Sequence, residues 1–434
     1  MITRVPDPSS KNSSIAGSDR ALLIDLFNAA VNATDPLTAL QNNLPELPQG
    51  RTVVVGAGKG AAQLANALEK LWPSPLEGVV VTRYGYAEPC KQIKVLEAAH
   101  PVPDQAGIDA AEKLLQSVSG LRAEEWVIAL ICGGGSALLS APPPGLTLQD
   151  EQDLNQSLLR SGAPVSAMNA IRKHVSEIKG GRLAAAAYPA RVVSLVVSDV
   201  PGDEPGQVAS GPTVPDAVTR QDALAMIDHY QIDLPPHIRA HIASSKAEAP
   251  RPNDQLFADA SVRIIASARQ SLDAAADLAR ERGLNAVILS DAIEGEAREV
   301  AQMHAAIARN VKERNQPFPK PVVIFSGGET TVTLRNKGRG GRNTEFLLSL
   351  ALHLQDTEGI TALAADTDGI DGSEANAGAF VDGASCDRMR ANGRDPRADL
   401  NGNNAFCAFE ACNDLFSPGP TGTNVNDFRA IIVR

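Results

Sequence analysis

The chain has 434 residues, 43% of them hydrophobic, with a formal net charge of −11 and a sequence pI near 5.2. So acidic a protein is not expected to bind nucleic acid, because a phosphate backbone requires a basic surface. The length predicts two domains rather than one.

The cysteines and the N-terminal segment indicate the cellular compartment of the protein. Five cysteines are scattered without a C-x-x-C pair, which favours a reducing compartment. The opening MITRVPDPSSKNSSIAGS lacks the apolar segment of a signal peptide, and no run approaches the length of a membrane span. We expect a cytoplasmic enzyme without membrane contact.

Strand-like and helix-like stretches alternate along the chain, which predicts a doubly wound α/β fold. A first helix is expected to start near Ser18. The predicted strands are Thr52–Val55, Gly78–Thr82, Trp126–Cys132, Arg191–Val197, Val262–Ala266, Ala286–Ser290, Val322–Ser326, Thr330–Leu334, Ile360–Ala365 and a closing AIIV.

The segment SSKAEAPRPNDQ (244–255) is rich in proline and polar residues, which predicts a linker. We therefore expect residues 1–255 to form a Rossmann-like domain with a parallel sheet. Residues 256–434 would form a second α/β domain with a mixed sheet, and the active site would lie in the cleft between the two.

Five of the predicted strands run directly into loops of glycine with charged or hydroxyl residues: VVVGAGKG, ALICGGGSAL, SLVVSDVPGD, VVIFSGGETT and ALAADTDGIDG. Ligands of parallel α/β sheets bind at the carboxyl ends of the strands, where glycine lets backbone N–H groups approach a phosphate. The pattern is typical of an enzyme that handles phosphate.

The first of these loops, Gly56-Ala57-Gly58-Lys59-Gly60-Ala61, has three interpretations. It matches the loose dinucleotide fingerprint G-x-G-x-x-A, and Arg83 after the next strand would then suit a 2′-phosphate. A mononucleotide site would explain Lys59 as a cation for phosphate. A glycine turn with a solvated lysine is the structural alternative.

The next two loops offer backbone donors and carboxylates. Gly133-Gly134-Gly135-Ser136 can cradle an anion or simply form a tight turn. Asp199 and Asp203 can accept a hydroxyl proton or hold Mg²⁺, although aspartates also cap turns.

GRGGRNTE (338–345) places arginines at a predicted helix N-terminus, an arrangement suited to phosphate or carboxylate, with a basic surface loop as the alternative. DTDGIDG (366–372) starts like a calcium loop but lacks its twelfth-position glutamate, so we interpret it as an active-site turn. The histidines, including His100 before Pro101, indicate neither a zinc site nor a catalytic triad.

Nine motifs together resemble the glycerate 2-kinase family, which is also known by its C-terminal MOFRL module: GAGKG, HPVPD, GGGSAL, MNAIRKHVSEIKGGRLA, SDVPGD, SGPTVPD, GRGGRNTEF, DTDGIDG and TGTNVNDFR. Their order and coverage, from about Val53 to Val433, make the resemblance specific. It implies a MOFRL module from about residue 321 and ATP-dependent phosphorylation of D-glycerate at its 2-hydroxyl with a divalent metal, here Mg²⁺.

The resemblance also implies roles for individual residues. Lys59, Asp199 and Arg342 would be catalytic, with Asp199 accepting the hydroxyl proton. Asp203 and Asp368 would hold the metal. The residues expected to bind nucleotide or substrate are Gly56, Gly58, Gly133, Gly134, Gly135, Ser136, Lys173, Ser210, Asn343 and Glu345.

Some members of the family are labelled hydroxypyruvate reductases from a tartrate-degradation context. An NAD(P)H-dependent hydroxypyruvate reductase is therefore the alternative function, with GAGKGA as its fingerprint.

Overall fold

The computed structural model describes the backbone of residues 8–434 and the side chains from Ser18 onward. Packing divides the chain into two compact units. Pro36–Ala266 form one, here called the parallel unit, and residues 8–35 with Ser267–Arg434 form the other, the mixed unit. The first helix, α1 (Pro8–Ala33), begins before the expected Ser18 and belongs to the mixed unit.

The parallel unit is built on six parallel strands in the order β3-β2-β1-β4-β5-β6. This is the strand order of a doubly wound sheet, as predicted. The strands are β1 (Thr52–Ala57), β2 (Leu76–Arg83), β3 (Lys94–Ala98), β4 (Trp126–Ile131), β5 (Arg191–Val197) and β6 (Ser261–Ala266).

Nine helices accompany this sheet within the parallel unit: α2 (Pro36–Gln41), α3 (Ala61–Leu71), α4 (Gln105–Val118), α5 (Gly135–Leu138), α6 (Leu148–Arg160), α7 (Val165–Lys173), α8 (Arg182–Ala187), α9 (Arg220–His229) and α10 (Pro236–Ala243). Every residue of β1 is buried, which accounts for its uninterrupted apolar sequence, since parallel strands are covered on both faces. Val53 and Val55 share one core with Ala111 and Leu114 of α4.

The segment predicted as a linker packs within the parallel unit. Ala247 and Ala249 are buried, and Arg182 donates hydrogen bonds from Nη2 to the carbonyls of Ala247 and Glu248. β6 then pairs with β5, so the unit continues to Ala266 and the boundary expected after residue 255 falls inside it.

The mixed unit contains a six-stranded sheet in the order β13-β12-β11-β14-β9-β7, in which only the β7–β9 pair is parallel. Two short strands, β8 and β10, pair separately. The strands are β7 (Asn285–Ile288), β8 (Gly295–Glu296), β9 (Val322–Gly328), β10 (Thr330–Thr331), β11 (Ile360–Asp366), β12 (Gly378–Asp382), β13 (Leu415–Phe416) and β14 (Asp427–Val433). The predicted mixed sheet is confirmed.

The helices of the mixed unit cover both faces of this sheet. Residues of β14 alternate between two cores: Ile431 packs with α12 and α13, and Ile432 packs with α1 and α11. Phe27 of α1 meets Phe416 edge to face, with ring centroids 5.0 Å apart. Besides α1, the helices are α11 (Ala268–Glu281), α12 (Ala297–Arg314), α13 (Arg342–His353), α14 (Ser385–Ala391), α15 (Pro396–Asn401) and α16 (Ala405–Glu410).

None of the helices in the described part of the chain has the length and apolar character needed to cross a bilayer.

His304 of α12 is a buried histidine with both ring nitrogens bonded. Nδ1 lies 2.8 Å from the Val300 carbonyl, and Nε2 lies 2.9 Å from Ser326 Oγ on β9. Burial lowers the pKa of His304 to about 4, despite the opposing Val300 carbonyl. The ring therefore ties α12 to the sheet in its neutral form.

We predict that acid destabilises the mixed unit through His304. Below pH 6.5 the imidazole is protonated in the unfolded chain, whereas in the folded protein it stays neutral until about pH 4. The free energy of unfolding therefore decreases as the pH falls through this range. The loss should approach about 3 kcal/mol by pH 4. Urea denaturation at several pH values measures it, and His304→Gln should show a shallower pH dependence. If the unfolding free energy depends on pH equally in the two proteins, the prediction is wrong.

Candidate active site

The first group of predicted site residues lies where the strand order of the parallel sheet reverses. β1 is flanked by β2 on one side and β4 on the other, so the loops after β1 and β4 border the crevice in which doubly wound sheets bind ligands. The Lys59 N–H donates to the Gly133 carbonyl at 2.9 Å, and Thr82 Oγ1 donates to the Lys59 carbonyl at 3.0 Å. The backbone of Lys59 is thus held by both neighbouring strands.

Two glycines allow these loops to meet. A Cβ on Gly58, where φ is 131°, would lie 2.3 Å from the Cys132 carbonyl oxygen. A Cβ on Gly133 would lie 1.8 Å from Asp199 Oδ2. The Asp199 carboxylate can therefore rest on the loop that holds Lys59 only because residue 133 has no side chain. Lys59 and Asp199 thus both contact the Gly133–Gly134 loop.

Ser136 and Ser210 meet beside this loop. Their hydroxyl groups share a hydrogen bond, and Ser210 Oγ also donates to Asn169 Oδ1 at 3.1 Å. Ala209 and Ser210 have φ values of 51° and 59°, in the left-handed region that costs a non-glycine residue about 1 kcal/mol or more. Backbone strain of this kind is concentrated at functional sites.

Two other residues predicted for the site, Lys173 and Asp203, also lie in the parallel unit. Lys173 is buried, with its Nζ 2.6 Å from Asp216, so its ammonium group is committed to an internal ion pair. Asp203 ends a 3₁₀ turn with φ of 53° and is half-buried.

His100 was left out of the predicted site, yet its imidazole lies against Gly134. A Cβ on Gly134 would be 3.2 Å from His100 Nε2 and 3.0 Å from Lys59 Cγ. The available signal was its place in the HPVPD motif, since β3, which brings His100 to the same end of the sheet as Lys59, was not among the predicted strands.

A second group surrounds Arg342 in the mixed unit. Its guanidinium donates from Nε to Asp427 and from Nη2 to Asp366, both at 2.7 Å, and from Nη1 to Glu329 at 3.0 Å. Asp366 and Asp427 are register partners across β11 and β14, and Gly328, just before Glu329, pairs with Asp427. The three carboxylates therefore lie at the same end of three adjacent strands, with Glu329 directly after β9.

Charge and exposure differ among the partners of Arg342. Burial alone would lower the pKa of Arg342, but Asp427, Asp366 and Glu329 more than offset it and raise the pKa well above its usual value. The Glu329 side chain is 52% exposed, whereas those of Asp427 and Asp366 are 0% and 8% exposed. The Nη1 side is therefore the part of the guanidinium that a dissolved anion can reach.

Asp371 occupies the N-terminus of α13, where the sequence predicted a bound phosphate or carboxylate. Its Oδ1 accepts the Asn343 N–H at 2.9 Å, and its Oδ2 accepts the N–H and hydroxyl of Thr344 at 2.9 and 2.8 Å. Burial raises the pKa of Asp371 to about 6 against the lowering effect of these donors. A carboxylate does bind there, but it comes from the chain itself.

Asp427 connects Arg342 to the interior. Asn343 Nδ2 donates to its Oδ1 at 2.7 Å, and the guanidinium of Arg429 binds its Oδ2. Burial would raise the pKa of Asp427, but Arg342 and Arg429 lower it, so the carboxylate is ionised. The TGTNVNDFR motif contained both Asp427 and Arg429, and neither was assigned a role.

Glu345 forms an internal pair rather than an open binding group. Its carboxylate accepts from Arg298 Nη2, and burial raises its pKa despite that arginine. Together with Arg342 and Asn403 it lines a pocket of about 210 Å³ whose other walls are Thr330, Val332, Leu334, Gly338, Gly340, Gly341 and Gly372.

Asp368 is half-buried, and its Oδ1 accepts the Ile370 N–H at 2.9 Å. In the described residues no three histidine, cysteine, aspartate or glutamate side chains are grouped as metal ligands. Mg²⁺ bound with a nucleotide needs only one or two carboxylates and takes its other ligands from phosphate and water. Asp368 beside Asp366 fits that requirement by its chemistry.

The two units define the protein as an α/β enzyme with candidate phosphate sites at its strand ends. Comparison with known proteins identifies the class more closely. Residues 22–243 match a domain of unknown function (DUF4147), and residues 322–427 match the MOFRL family.

The chain is 38% identical to the D-glycerate 2-kinase of Thermotoga maritima over 94% of this chain and 97% of that protein. It is 51% identical to an Agrobacterium vitis protein provisionally named hydroxypyruvate reductase, over 96% and 95% of the two chains. A solved Thermotoga maritima glycerate kinase structure superimposes with a TM-score of 0.87 at 37% identity, covering 96% of this chain and 100% of that one. The chain belongs to the glycerate 2-kinase family with the MOFRL module.

We predict that Asp371→Asn destabilises the mixed unit by about 1–3 kcal/mol, because an amide nitrogen would face a backbone N–H and leave it without an acceptor. Urea denaturation and hydrogen exchange at the first turn of α13 measure the effect. Asp387→Asn is the matched control, since that side chain is 62% exposed and pairs only within its own helix. Equal unfolding free energies for the two variants would contradict the prediction.

Proposed function

We propose that this protein is a glycerate 2-kinase that transfers the γ-phosphoryl group of ATP to the 2-hydroxyl of D-glycerate. The observation that carries the proposal is the meeting of Lys59 and Asp199 across Gly133 at the switch point of the parallel sheet. A cation for phosphate beside a carboxylate for the hydroxyl proton is what phosphoryl transfer requires. Membership in the family and the similarity to the Thermotoga maritima enzyme support it.

The chemical step assigns one role to each of three residues. The substrate 2-hydroxyl oxygen forms the new bond to the γ-phosphorus, its proton passes to Asp199, and the bond from the γ-phosphorus to the bridging oxygen breaks so that ADP leaves. Lys59 and Arg342 stabilise the negative charge of the transferred group. Positioning and charge neutralisation supply most of the acceleration.

Arg342 can bind an anion by exchanging one partner. Asp427 and Asp366 hold Nε and Nη2 from the buried side, whereas Nη1 is bonded to the exposed Glu329. A phosphate oxygen would replace Glu329 at Nη1 while the other two carboxylates keep the fork in place. The remaining binding residues assigned here are Gly56, Gly58, Gly133, Gly134, Gly135, Ser136 and Ser210.

Mg²⁺ would be held by Asp368, with Asp203 as a second candidate, and would neutralise phosphate charge when bound. Lys173, Asn343 and Glu345 are assigned supporting roles because each is buried in an internal contact. They hold α7 and α13 in place rather than contact substrate.

The alternative is an NAD(P)H-dependent hydroxypyruvate reductase, and the name of the Agrobacterium vitis relative favours it. In that interpretation Arg83 would bind a 2′-phosphate. The Arg83 guanidinium lies over the Tyr86 ring at 4.2 Å, and the reductase leaves Asp199 and Arg342 without a role.

Incubation with Mg²⁺, ATP and D-glycerate, with product identification by phosphorus NMR, tests the kinase. A parallel assay with NADPH and hydroxypyruvate tests the reductase.

We predict that Lys59→Ala and Arg342→Ala each lower turnover by about 10² or more, because each removes a charge that stabilises the transition state. ATP consumption and 2-phosphoglycerate formation are the measurements. The exposed Lys70→Ala and Arg390→Ala are the matched controls and should keep normal rates. Near-normal turnover in both site variants would overturn the assignment.

We predict that Asp199→Asn lowers kcat by about 10² to 10⁴, the range for loss of a general base. The Michaelis constant for ATP should change little, because the carboxylate acts on the acceptor hydroxyl. Steady-state kinetics across pH 6 to 9 measure both constants. A larger effect on ATP binding than on kcat would assign Asp199 to the nucleotide instead.

A further inference from the structure

His100 stands at the same edge of the sheet as the proposed catalytic residues. β3 ends at Ala98, so His100 follows it as Lys59 follows β1 and Gly133 follows β4. Nε2 and Cδ2 of its ring would lie 3.2 and 3.3 Å from a Cβ on Gly134, while Lys59 Cγ would lie 3.0 Å from the same point. His100 and Lys59 therefore border one glycine of the predicted anion loop.

The hydrogen bonding of this ring differs from that of the structural histidine His304. Both nitrogens of His304 have partners within the protein. Among residues 18–434, whose side chains the structure describes, no hydrogen bond joins either ring nitrogen of His100 to another residue. Since polar groups removed from water are nearly always bonded, a half-buried imidazole without a protein partner is suited to a ligand.

The surroundings of His100 are cationic and favour the neutral ring. Burial, together with the charges of Lys59 and Arg83, lowers the pKa of His100 to about 4. Lys59 follows β1, and Arg83 is the last residue of β2. A neutral imidazole can donate a hydrogen bond to an anion that Lys59 attracts, without repelling that lysine.

We propose that His100 is a further ligand-binding residue of this site, whose Nε2–H donates a hydrogen bond to an oxyanion of the reacting substrates. The inference rests on the proposed kinase function. The oxyanion belongs either to the nucleotide phosphates or to the carboxylate of glycerate. Lys59, Gly134 and His100 together form the site that receives it.

Four variants test the hydrogen bond separately from the packing. His100→Ala removes both, His100→Leu keeps bulk without a donor, His100→Gln places an amide close to Nε2, and His100→Asn places one close to Nδ1. We expect kcat/KM to fall about 10- to 100-fold in the alanine, leucine and asparagine variants, and His100→Gln to recover to within about fivefold of wild type. His237→Gln is the control, because that exposed side chain pairs with Asp150 on α6.

The variants also contain the outcomes that would overturn the proposal. Wild-type rates in His100→Leu would assign His100 to packing. Equal losses in the glutamine and asparagine variants would exclude a specific contact at Nε2. If the wild-type protein forms no 2-phosphoglycerate, the kinase assignment itself fails, which is a separate result from the ranking of the variants.

Nitrogen NMR of the wild-type ring provides a test that needs no variant to fold and no turnover. ADP and D-glycerate are added in separate titrations. A shift of the His100 Nε2 resonance with ADP alone identifies phosphate as the partner, and a shift with glycerate alone identifies the carboxylate. Unchanged resonances with both ligands would overturn the proposal even in an active enzyme.

Discussion

The mixed unit is organised around one buried carboxylate. Asp427 has no exposed side-chain surface and would be costly to bury without partners, because an unpaired charge in the interior loses its hydration. Arg342, Asn343 and Arg429 supply those partners from α13 and from β14 itself. The requirement to satisfy Asp427 therefore fixes where α13 begins and where the Arg342 guanidinium points. The arginine proposed to bind phosphate is therefore oriented by the charge of a carboxylate buried in the core.

In the parallel unit the candidate site residues are positioned by close packing of loops rather than by buried charge. Asp199 lies against Gly133, where a Cβ would collide with the carboxylate. Lys59 is held through its backbone rather than through its charge. In the proposed mechanism its ammonium group binds the ligand, whereas Arg342 must exchange an internal partner. The two cations of the proposed mechanism would therefore bind phosphate at different energetic cost.

The sequence predicted those parts of the fold that depend on local pattern. The bounds of β5 were predicted residue for residue, since RVVSLVV is a buried apolar run between turns. β3 and β12 were missed: KVLEA mixes charges with apolar residues at a sheet edge, and GAFVD is short.

For the site, glycine and charge after each strand indicated Lys59, Asp199 and Arg342. The partners of Arg342 were not predictable, because Asp366 and Asp427 meet only through the pairing of β11 with β14, 61 positions apart by number. His100 was set aside because the sequence showed no nucleophile beside it, and the groups that it meets in the fold, Lys59 and Gly134, follow other strands.

Helix α1 has a consequence for how this chain becomes a folded protein. It packs with α11 and with β14, so the mixed unit is assembled from segments that lie before and after the parallel unit in the sequence. The parallel unit is contiguous and enters the other as one insertion between Asp35 and Ser267. During vectorial synthesis the parallel unit can complete its sheet as soon as β6 leaves the ribosome. The apolar residues Leu23, Leu26 and Phe27 of α1 pack with α11 and β14, so in a nascent chain they lack these native contacts until both elements have been synthesised. The order of the elements therefore delays the burial of one apolar helix face until well after the helix itself has been made.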